Sequence, residues 1–337
     1  MITSSAVKAQ ALELKFDACG IAAVEAAPHG NYFLRWLGEG KAGEMDWMKN
    51  RVEQRMEPIR LLDGARSMIV LGLNYYQPPP SGRGRIATYA LGKDYHDLVW
   101  ERMREFDRWL SERGGVQKTF ADTAPVLEKP IAQRSGLGWQ GKSTVLIHKK
   151  WGTWLFLGEI LTTLSLETDQ AEGDHCGKCT RCVDACPTQA IVAPYQLDAR
   201  RCIAYLTIEH PGSIPVEFRD AIGDRVYGCD ECLTVCPWNR WAQKTKESHF
   251  AVRELPDLRV MLEWTDAEFR SRFRGTPIFR LKSPRWKRNI CVVLGNIGSA
   301  EDLQALEKIA AGEDVMVKEH ALWALEKIRL RNGTYRG

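Results

Sequence analysis

The sequence predicts an α/β fold in the N-terminal half, followed by a cysteine-rich module and a helical C-terminal region. Three observations support this division. Strand-like and helix-like segments alternate over the first 165 residues, which is typical of layered α/β domains. Eight of the ten cysteines fall within residues 176–236. Beyond them, two helix-like segments repeat at a spacing of 31 residues.

Composition limits the class of protein. The chain has 337 residues, enough for two or three domains. Its 44% hydrophobic and 27% charged residues are ordinary for a globular protein, and a net charge of +4 does not by itself indicate a nucleic-acid partner. No signal-peptide core opens the chain, and no apolar run approaches the ~20 residues that span a bilayer. We therefore expect a cytoplasmic protein without membrane contact.

Changes of pattern along the chain set the expected domain boundaries. These are an α/β domain at 1–168, a cysteine-rich module at 169–245, a basic connecting segment at 246–284 and a short helical repeat at 285–337. In the α/β domain we predict helices at 4–18, 29–37, 94–113 and 128–135, and strands at 19–24, 67–74, 117–121, 145–148 and 154–161.

The clearest of these elements have simple patterns. The strand at 67–74 is apolar almost throughout, which predicts burial on both faces. The helix at 94–113 places apolar residues on one face, at Val99, Met103, Phe106 and Leu110, and a Gly-Gly pair ends it. Asp122 directly follows the strand at 117–121. The ligand site of such a domain is expected at the ends of its strands.

The cysteines follow the spacing of iron–sulfur proteins. The first run matches C-x2-C-x2-C-x3-C-P, which holds a 4Fe–4S cluster, and the second repeats its form with Cys202 displaced 27 residues upstream of Cys229. In two-cluster ferredoxins the fourth cysteine of a run ligates the other cluster. The spacing therefore predicts two crossed clusters, one on Cys176, Cys179, Cys182 and Cys236 and the other on Cys186, Cys202, Cys229 and Cys232.

Other uses of these thiols fit less well. Zinc sites pair C-x2-4-C units and need neither a third cysteine at +6 nor a following proline. A disulfide framework suits small secreted domains, whereas thiolate ligands suit a reducing cytoplasm. Cys19 and Cys291 stand apart from the runs, and we expect both in the core.

The glycine-rich stretch at 136–144 resembles the end of a phosphate-binding loop. The spacing of Gly136, Gly141, Lys142 and Ser143 is that of a Walker A motif, but strand-like residues follow Thr144 where that motif has a helix. Nucleotide hydrolysis is therefore disfavoured. Glycines let a large flat ligand approach the backbone, and we expect such a ligand here.

Residues 270–288 are strongly basic. They contain eight Lys or Arg and no acidic residue, with Phe273, Phe279 and Trp286 interleaved. A solvated basic face is one interpretation, and phosphate contact with stacking aromatics, as in nucleic-acid binders, is the other. The predicted nucleic-acid contacts are Lys282, Arg285, Lys287 and Arg288.

The segments at 286–297 and 316–328 superpose, so that Leu294 aligns with Leu325 and Ile297 with Ile328. This predicts about one and a half units of a HEAT-like helical repeat. An array so short cannot stand alone and must pack on its neighbours.

Taken together, these features resemble the epoxyqueuosine reductase family over nearly the whole chain. The most specific motifs are Asp122-Thr-Ala-Pro, Gly136-Leu-Gly-Trp-x-Gly-Lys142, Arg201-Cys-Ile-Ala-Tyr-Leu-Thr-Ile208, Tyr227-Gly-Cys-Asp-x-Cys232 and Cys236-Pro-Trp-Asn239. The resemblance implies cobalamin in the α/β domain beside two 4Fe–4S clusters, in a catalytic core similar to reductive dehalogenases. It implies removal of the epoxide oxygen of epoxyqueuosine in a tRNA anticodon to give queuosine, by a monomer that takes electrons from an unidentified low-potential donor.

The resemblance also implies site residues. It makes Asp122 the proton donor, and because an ordinary Asp has a pKa of about 3.9, donation near pH 7 requires a raised pKa. The expected cobalamin contacts are Arg55, Gln133, Gly138, Trp139, Gly141, Lys142, Ser143 and Thr144. Tyr95 and His96 are weaker candidates. For Arg51 and Arg55, a solvated helix face is the alternative.

Two other functions are compatible with parts of the sequence. A reductive dehalogenase-like enzyme acting on a small molecule would share the cofactors, but such enzymes carry a twin-arginine signal and lack a basic tail. A simple ferredoxin-type electron carrier would need neither the 136–144 loop nor Asp122.

Overall fold

A computed structural model describes residues 2–333, so the first residue of the first expected domain and the last four of the final one lie outside the described residues. The strands are β1 (Ala18–Ala23), β2 (Ser67–Asn74), β3 (Arg85–Ile86), β4 (Gln117–Phe120), β5 (Trp139–Gln140), β6 (Leu146–Ile147), β7 (Leu155–Thr162), β8 (Ile191–Ala193), β9 (Gln196–Leu197) and β10 (Arg225–Tyr227).

The α-helices are α1 (Ser4–Glu13), α2 (Gly30–Gly38), α3 (Val52–Met56), α4 (Tyr95–Ser111), α5 (Glu128–Arg134), α6 (Arg181–Asp184), α7 (Val216–Ile222), α8 (Glu231–Thr234), α9 (Leu258–Glu263), α10 (Asp266–Phe273), α11 (Lys282–Ile297), α12 (Leu303–Ala310) and α13 (Val315–Arg331). Of these, α1 is five residues shorter than predicted. Its N-cap is Thr3, whose hydroxyl accepts the Ala6 N–H at 3.2 Å.

The N-terminal domain is built on a four-stranded sheet in the order β1-β2-β7-β4. All eight residues of β2 are buried, as its apolar sequence predicts. Every pairing in this sheet is antiparallel, although alternating strands and helices are more usual for parallel sheets. The alternation in the sequence indicates element type but not strand direction, and the domain has a mixed α/β architecture.

Helix α4 covers one face of this sheet with the predicted stripe. Val99, Met103, Phe106 and Leu110 are all buried. A Cβ at Gly158 of β7 would lie 2.9 Å from the Met103 sulfur, so the missing side chain brings the helix close to the strand. The helix begins at Tyr95 because the Asp94 side chain caps it, and this fixes Tyr95 and His96 at the end of the sheet that carries Asp122.

The cysteine-rich module packs against the same domain through the Cys236-Pro-Trp-Asn239 motif. The Asn239 side-chain oxygen accepts the Thr153 N–H at 2.9 Å and the Thr153 hydroxyl at 3.1 Å. Gly152 has φ of 59°, and a Cβ there would lie 2.1 Å from the same oxygen. The glycine therefore permits the close contact that fixes the module on the sheet domain.

The C-terminal region is helical, with α11 at its centre. Trp286, Ile290 and Leu294 of α11 are buried in the largest apolar cluster, which also takes residues from α9, α10, α12 and α13. The aligned repeat positions differ in environment, because Ile297 is 40% exposed while Ile328 is buried. Within residues 2–333, no helix has both the length and the apolar character needed to cross a bilayer.

Candidate functional site

Asp122 lies at the end of β4 and meets the first turn of α4. Its φ of 54° is in the left-handed region, which Asp tolerates better than most residues. The Tyr95 hydroxyl donates to Asp122 Oδ2 at 2.7 Å, and His96 Nε2 lies 3.5 Å from the same oxygen. The Tyr95 and His96 rings stack at 4.1 Å. The Asp122 side chain remains 50% exposed, so its other edge is open to a ligand.

The raised pKa that proton donation near pH 7 requires is not found at Asp122 in this arrangement. Burial favours the protonated carboxyl, but hydrogen bonds from His96 and Tyr95 outweigh it and lower the pKa of Asp122. For His96, burial alone would lower the pKa, but the Asp122 and Asp94 carboxylates raise it to about 9. At neutral pH the proton of this pair therefore resides on His96.

Two glutamates, one partly buried and one fully buried, lie near Asp122. Glu128 Oε1 accepts the Asp122 N–H at 2.9 Å, and burial together with the charge of Asp122 raises the pKa of Glu128 to about 7. Glu159, in β7, is fully buried and neither of its oxygens has a hydrogen-bond partner. Burial and the nearby Glu128 and Asp122 raise its pKa well above the usual range. The sequence signal for Glu159 is a single acid inside an apolar strand.

Arg55 approaches the Asp122 loop from the other side. It is only 6% exposed, so a solvated position is excluded, and its Nη1 donates to the Ala124 carbonyl at 3.2 Å. Arg55 Nε is buried without a hydrogen-bond partner. An unpartnered buried donor beside the 122–124 segment fits a polar group of a bound cofactor or substrate. The other arginine of this pair, Arg51, is exposed.

The glycine-rich stretch forms a hairpin of β5 and β6 and does not present a flat open surface. A Cβ at Gly138 would lie 2.3 Å from the Ile147 carbonyl oxygen, so the neighbouring strand occupies the space beside this glycine. Trp139 is fully buried. Gln133 donates to the Glu172 carbonyl and accepts the Gln140 N–H. Internal packing and hydrogen bonding thus contradict the predicted direct ligand contact for Gln133, Gly138 and Trp139.

The turn of this hairpin contacts the cysteine-rich module instead. Lys142 Nζ donates to the Gly177 carbonyl at 2.6 Å and to the Cys179 carbonyl at 2.9 Å. A Cβ at Gly141 would lie 2.5 Å from Ile147 Cδ1 and 3.5 Å from Cys176 Sγ. Ser143 is buried, and Thr144 has φ of 66°. These residues support the loop around the first cysteines.

Electrostatic contacts between the thiols are compatible with the crossed pattern. Wherever repulsion from another thiol raises the pKa of a cysteine, that other thiol belongs to the same set. Burial raises the pKa of Cys236, and repulsion from Cys176, Cys182 and Cys179 adds to the rise. In the other set, the pKa of Cys232 is raised by burial and by three further thiols, which are Cys202, Cys229 and Cys186.

The surroundings of the thiols fit iron–sulfur clusters. The first set lines a cavity of about 230 Å³, which Cys232 also borders. In the second set the Ala190 N–H donates to Cys186 Sγ at 3.2 Å. Backbone N–H groups directed at cysteine sulfurs are typical of Fe–S cluster sites, where they tune the potential.

The basic segment is less accessible than its sequence predicts. Arg288 is fully buried, and its guanidinium donates to the carbonyls of Leu206, His210 and Gly212. The prediction that Arg288 binds nucleic acid is therefore wrong. Arg285 is half-buried and donates to four carbonyls, while Lys282 is exposed and Lys287 partly so. Phe273 and Trp286 are core residues, which removes them as stacking platforms.

Comparisons with known proteins show the family to which this chain belongs. Residues 55–123 match the family model described as Epoxyqueuosine reductase QueG, DUF1730, and residues 175–239 match that of the 4Fe-4S double cluster binding domain. An epoxyqueuosine reductase from Xanthomonas campestris is 43% identical, over 95% of this chain and 94% of its own. The chain belongs to the epoxyqueuosine reductase family.

Solved structures of epoxyqueuosine reductases share the fold of this family member. One, with an epoxyqueuosine-modified tRNA-Tyr stem loop, has a TM-score of 0.90 and 28% identity, covering 96% of this chain and 89% of its own. Another, from Bacillus subtilis, has a TM-score of 0.88 and 28% identity, covering 96% and 90%, and has a catalytic aspartate loop swung out of the active site. The chain is thus an oxidoreductase with a double-cluster domain at 175–239.

Proposed function

We propose that the protein reduces the epoxide of epoxyqueuosine at the wobble position of a tRNA anticodon to give queuosine, the last step of queuosine biosynthesis. The 43% identity to an epoxyqueuosine reductase over 95% of the chain carries this proposal. The reaction converts an epoxide to an alkene and water and consumes two electrons and two protons. Each 4Fe–4S cluster passes one electron at a time, so the module acts as the relay.

The eight module cysteines hold the two clusters in the crossed arrangement. The first cluster takes Cys176, Cys179, Cys182 and Cys236, and the second takes Cys186, Cys202, Cys229 and Cys232. The two thiol groups and the 230 Å³ cavity support this assignment.

Cobalamin would bind in the domain at 1–168, where it would supply a low-potential cobalt centre for reduction of the epoxide. Arg55, with its unpartnered Nε beside the Asp122 loop, is its best-supported contact in this chain. The turn of the hairpin faces the first thiol set and is formed by Gly141, Lys142, Ser143 and Thr144. Its main role is to support the loop around these thiols, and contact with the cofactor is a second role.

Asp122 delivers the proton that the leaving oxygen needs. Its lowered pKa means that it does not store this proton between turnovers. His96, with a pKa of about 9 and Nε2 3.5 Å from Asp122 Oδ2, holds the proton at neutral pH. Asp122 thus transfers a proton that His96 replenishes, a geometry suited to general acid catalysis.

The C-terminal region presents the tRNA. The segment at 246–284 and the short HEAT-like repeat at 285–337 supply a basic surface in which Lys282 and Lys287 are available and Arg285 contributes partially. Contacts to phosphate from such side chains make binding weaken as salt rises. The enzyme works as a cytoplasmic monomer and takes electrons from a low-potential donor.

Asp122→Asn tests this function. The variant keeps the shape of the side chain but cannot pass a proton, so turnover of epoxyqueuosine tRNA should fall by about 100-fold, within the usual range for general acids. Iron content, the visible spectrum with added cobalamin, and tRNA binding should not change. Normal turnover by this variant would exclude Asp122 as the proton donor, and inactivity of the unaltered enzyme on tRNA from cells lacking the reductase would exclude the function.

A further inference from the structure

The two thiol sets border different cavities. A shallow groove of about 970 Å³ passes Cys236 of the first set and is lined by Arg181, Asp184 and Arg240. In the second set, Cys229 packs against the large C-terminal core and borders a more enclosed cavity of about 770 Å³, and Cys202 packs against a smaller apolar cluster. The first cluster site therefore lies beside an open groove, which makes it the natural entry point for electrons.

The groove and its rim carry unpaired positive charge. Lys178, Arg181 and Arg240 are exposed, and none forms an ion pair with any residue in the range 2–333. One acidic side chain lines the groove, Asp184, and its carboxylate accepts the Thr180 hydroxyl at 2.7 Å. Three free cations around one carboxylate leave a local positive field directly above the first thiol set.

An exposed aromatic residue lies next to these charges. The Trp241 side chain is 44% exposed, and the Arg240 guanidinium stacks on it at 3.7 Å. Behind it, the ring centroid of Trp238 lies 5.3 Å from that of Trp241 and 4.8 Å from that of the buried Trp139. Exposed Trp and Arg side chains are the residues that most often anchor protein–protein interfaces.

We infer that the face formed by Lys178, Arg181, Arg240 and Trp241 docks an acidic one-electron carrier protein of low potential. This inference rests on the proposed function, which needs two electrons for each epoxide. Two reduced carriers dock in turn, each is oxidised by one electron, and the electrons pass through the first cluster to the second. Opposite charges speed encounter, and the small contact area lets the oxidised carrier leave.

The experiment compares two reductants on the cluster-loaded, cobalamin-loaded enzyme with epoxyqueuosine tRNA. A reduced acidic ferredoxin is the protein probe, and methyl viologen reduced by dithionite is a small cation that needs no docking face. The test variant is Arg181→Glu/Arg240→Glu. The matched control is Arg104→Glu/Lys118→Glu, which makes the same change of charge at exposed positions of α4 and β4.

The test variant should lose about tenfold in ferredoxin-supported rate at low salt, and that rate should lose most of its salt dependence. Its viologen-supported rate, its tRNA affinity and both rates of the control should be unchanged. An unchanged ferredoxin rate would overturn the inference, as would an equal loss with viologen. Weakened tRNA binding would overturn it in favour of a tRNA surface. Failure of the unaltered enzyme with viologen would instead count against the proposed function.

Discussion

At the scale of single residues, Asp122 and His96 act as a pair. The 3.5 Å separation of His96 Nε2 and Asp122 Oδ2 stabilises a charged imidazole and a charged carboxylate together. Asp94 holds the other ring nitrogen, with Nδ1 2.8 Å from its Oδ1. Proton donation, which the resemblance assigns to Asp122 alone, thus depends on both residues. From the sequence, His96 is only a weaker candidate for a cobalamin contact.

His96→Gln should lower turnover near pH 7 by about 100-fold, because the proton that replenishes Asp122 is lost. In the unaltered enzyme the rate should fall as pH rises through about 9, where His96 loses its proton, and the variant should lack this limb. Tyr95→Phe is the control, since it removes a hydrogen bond to Asp122 but keeps the imidazole. A pH–rate profile on tRNA checks this, and an unshifted alkaline limb in His96→Gln would contradict it.

At the scale of elements, β7 carries a carboxyl where its pattern predicts an apolar side chain. Glu159 pairs in register with Val70 of β2 and Phe120 of β4, so it lies in the middle of the sheet. Its raised pKa keeps it protonated in the folded state, whereas the unfolded chain releases the proton above a pKa near 4.5. This group's contribution to stability is therefore fully present below pH 4.5 and declines as pH rises.

Glu159→Gln removes this dependence while keeping the side-chain size. Above pH 5 the unfolding free energy of the unaltered protein should fall as pH rises because of this residue, with a limiting slope of about 1.4 kcal/mol per pH unit for one proton, and the variant lacks this fall. The variant should match the unaltered protein near pH 4 and exceed its stability at pH 8. Denaturant unfolding at several pH values measures this, and parallel slopes would show that Glu159 is not protonated in the fold.

At the scale of the whole molecule, the proposed crossed clusters would join distant parts of the chain. In that arrangement Cys236 shares a cluster with Cys176, sixty residues earlier, and Cys186 shares one with cysteines of the second run. Each cluster would then close a long loop, and neither cysteine run would hold a complete cluster without the other.

Iron content distinguishes crossed from local ligation. Cys176→Ser/Cys236→Ser should retain about four irons per chain, because both changes affect one cluster and leave the other four ligands intact. Cys176→Ser/Cys186→Ser should lose both clusters, although its two changes lie in one run. Iron analysis and the visible spectrum of anaerobically purified protein check this. The reverse ranking of these two variants would establish local ligation.

Spacing and periodicity in the sequence are enough to predict part of the chemistry and packing. Cysteine intervals predict which thiols share a cluster, and apolar patterns predict the buried face of α4 and the burial of β2, both of which the structure shows. These properties depend on residue type and on intervals along the chain, so they can be predicted without knowing the tertiary contacts.

Only the tertiary structure decided which polar residues are available. Arg288 is buried because backbone carbonyls from 206–212 surround it, and Trp139 is buried because the module covers it. The pKa values of Asp122 and His96 depend on a contact between the end of β4 and the start of α4. Burial and charge proximity arise from residues far apart in sequence, so residue type and spacing could not reveal them.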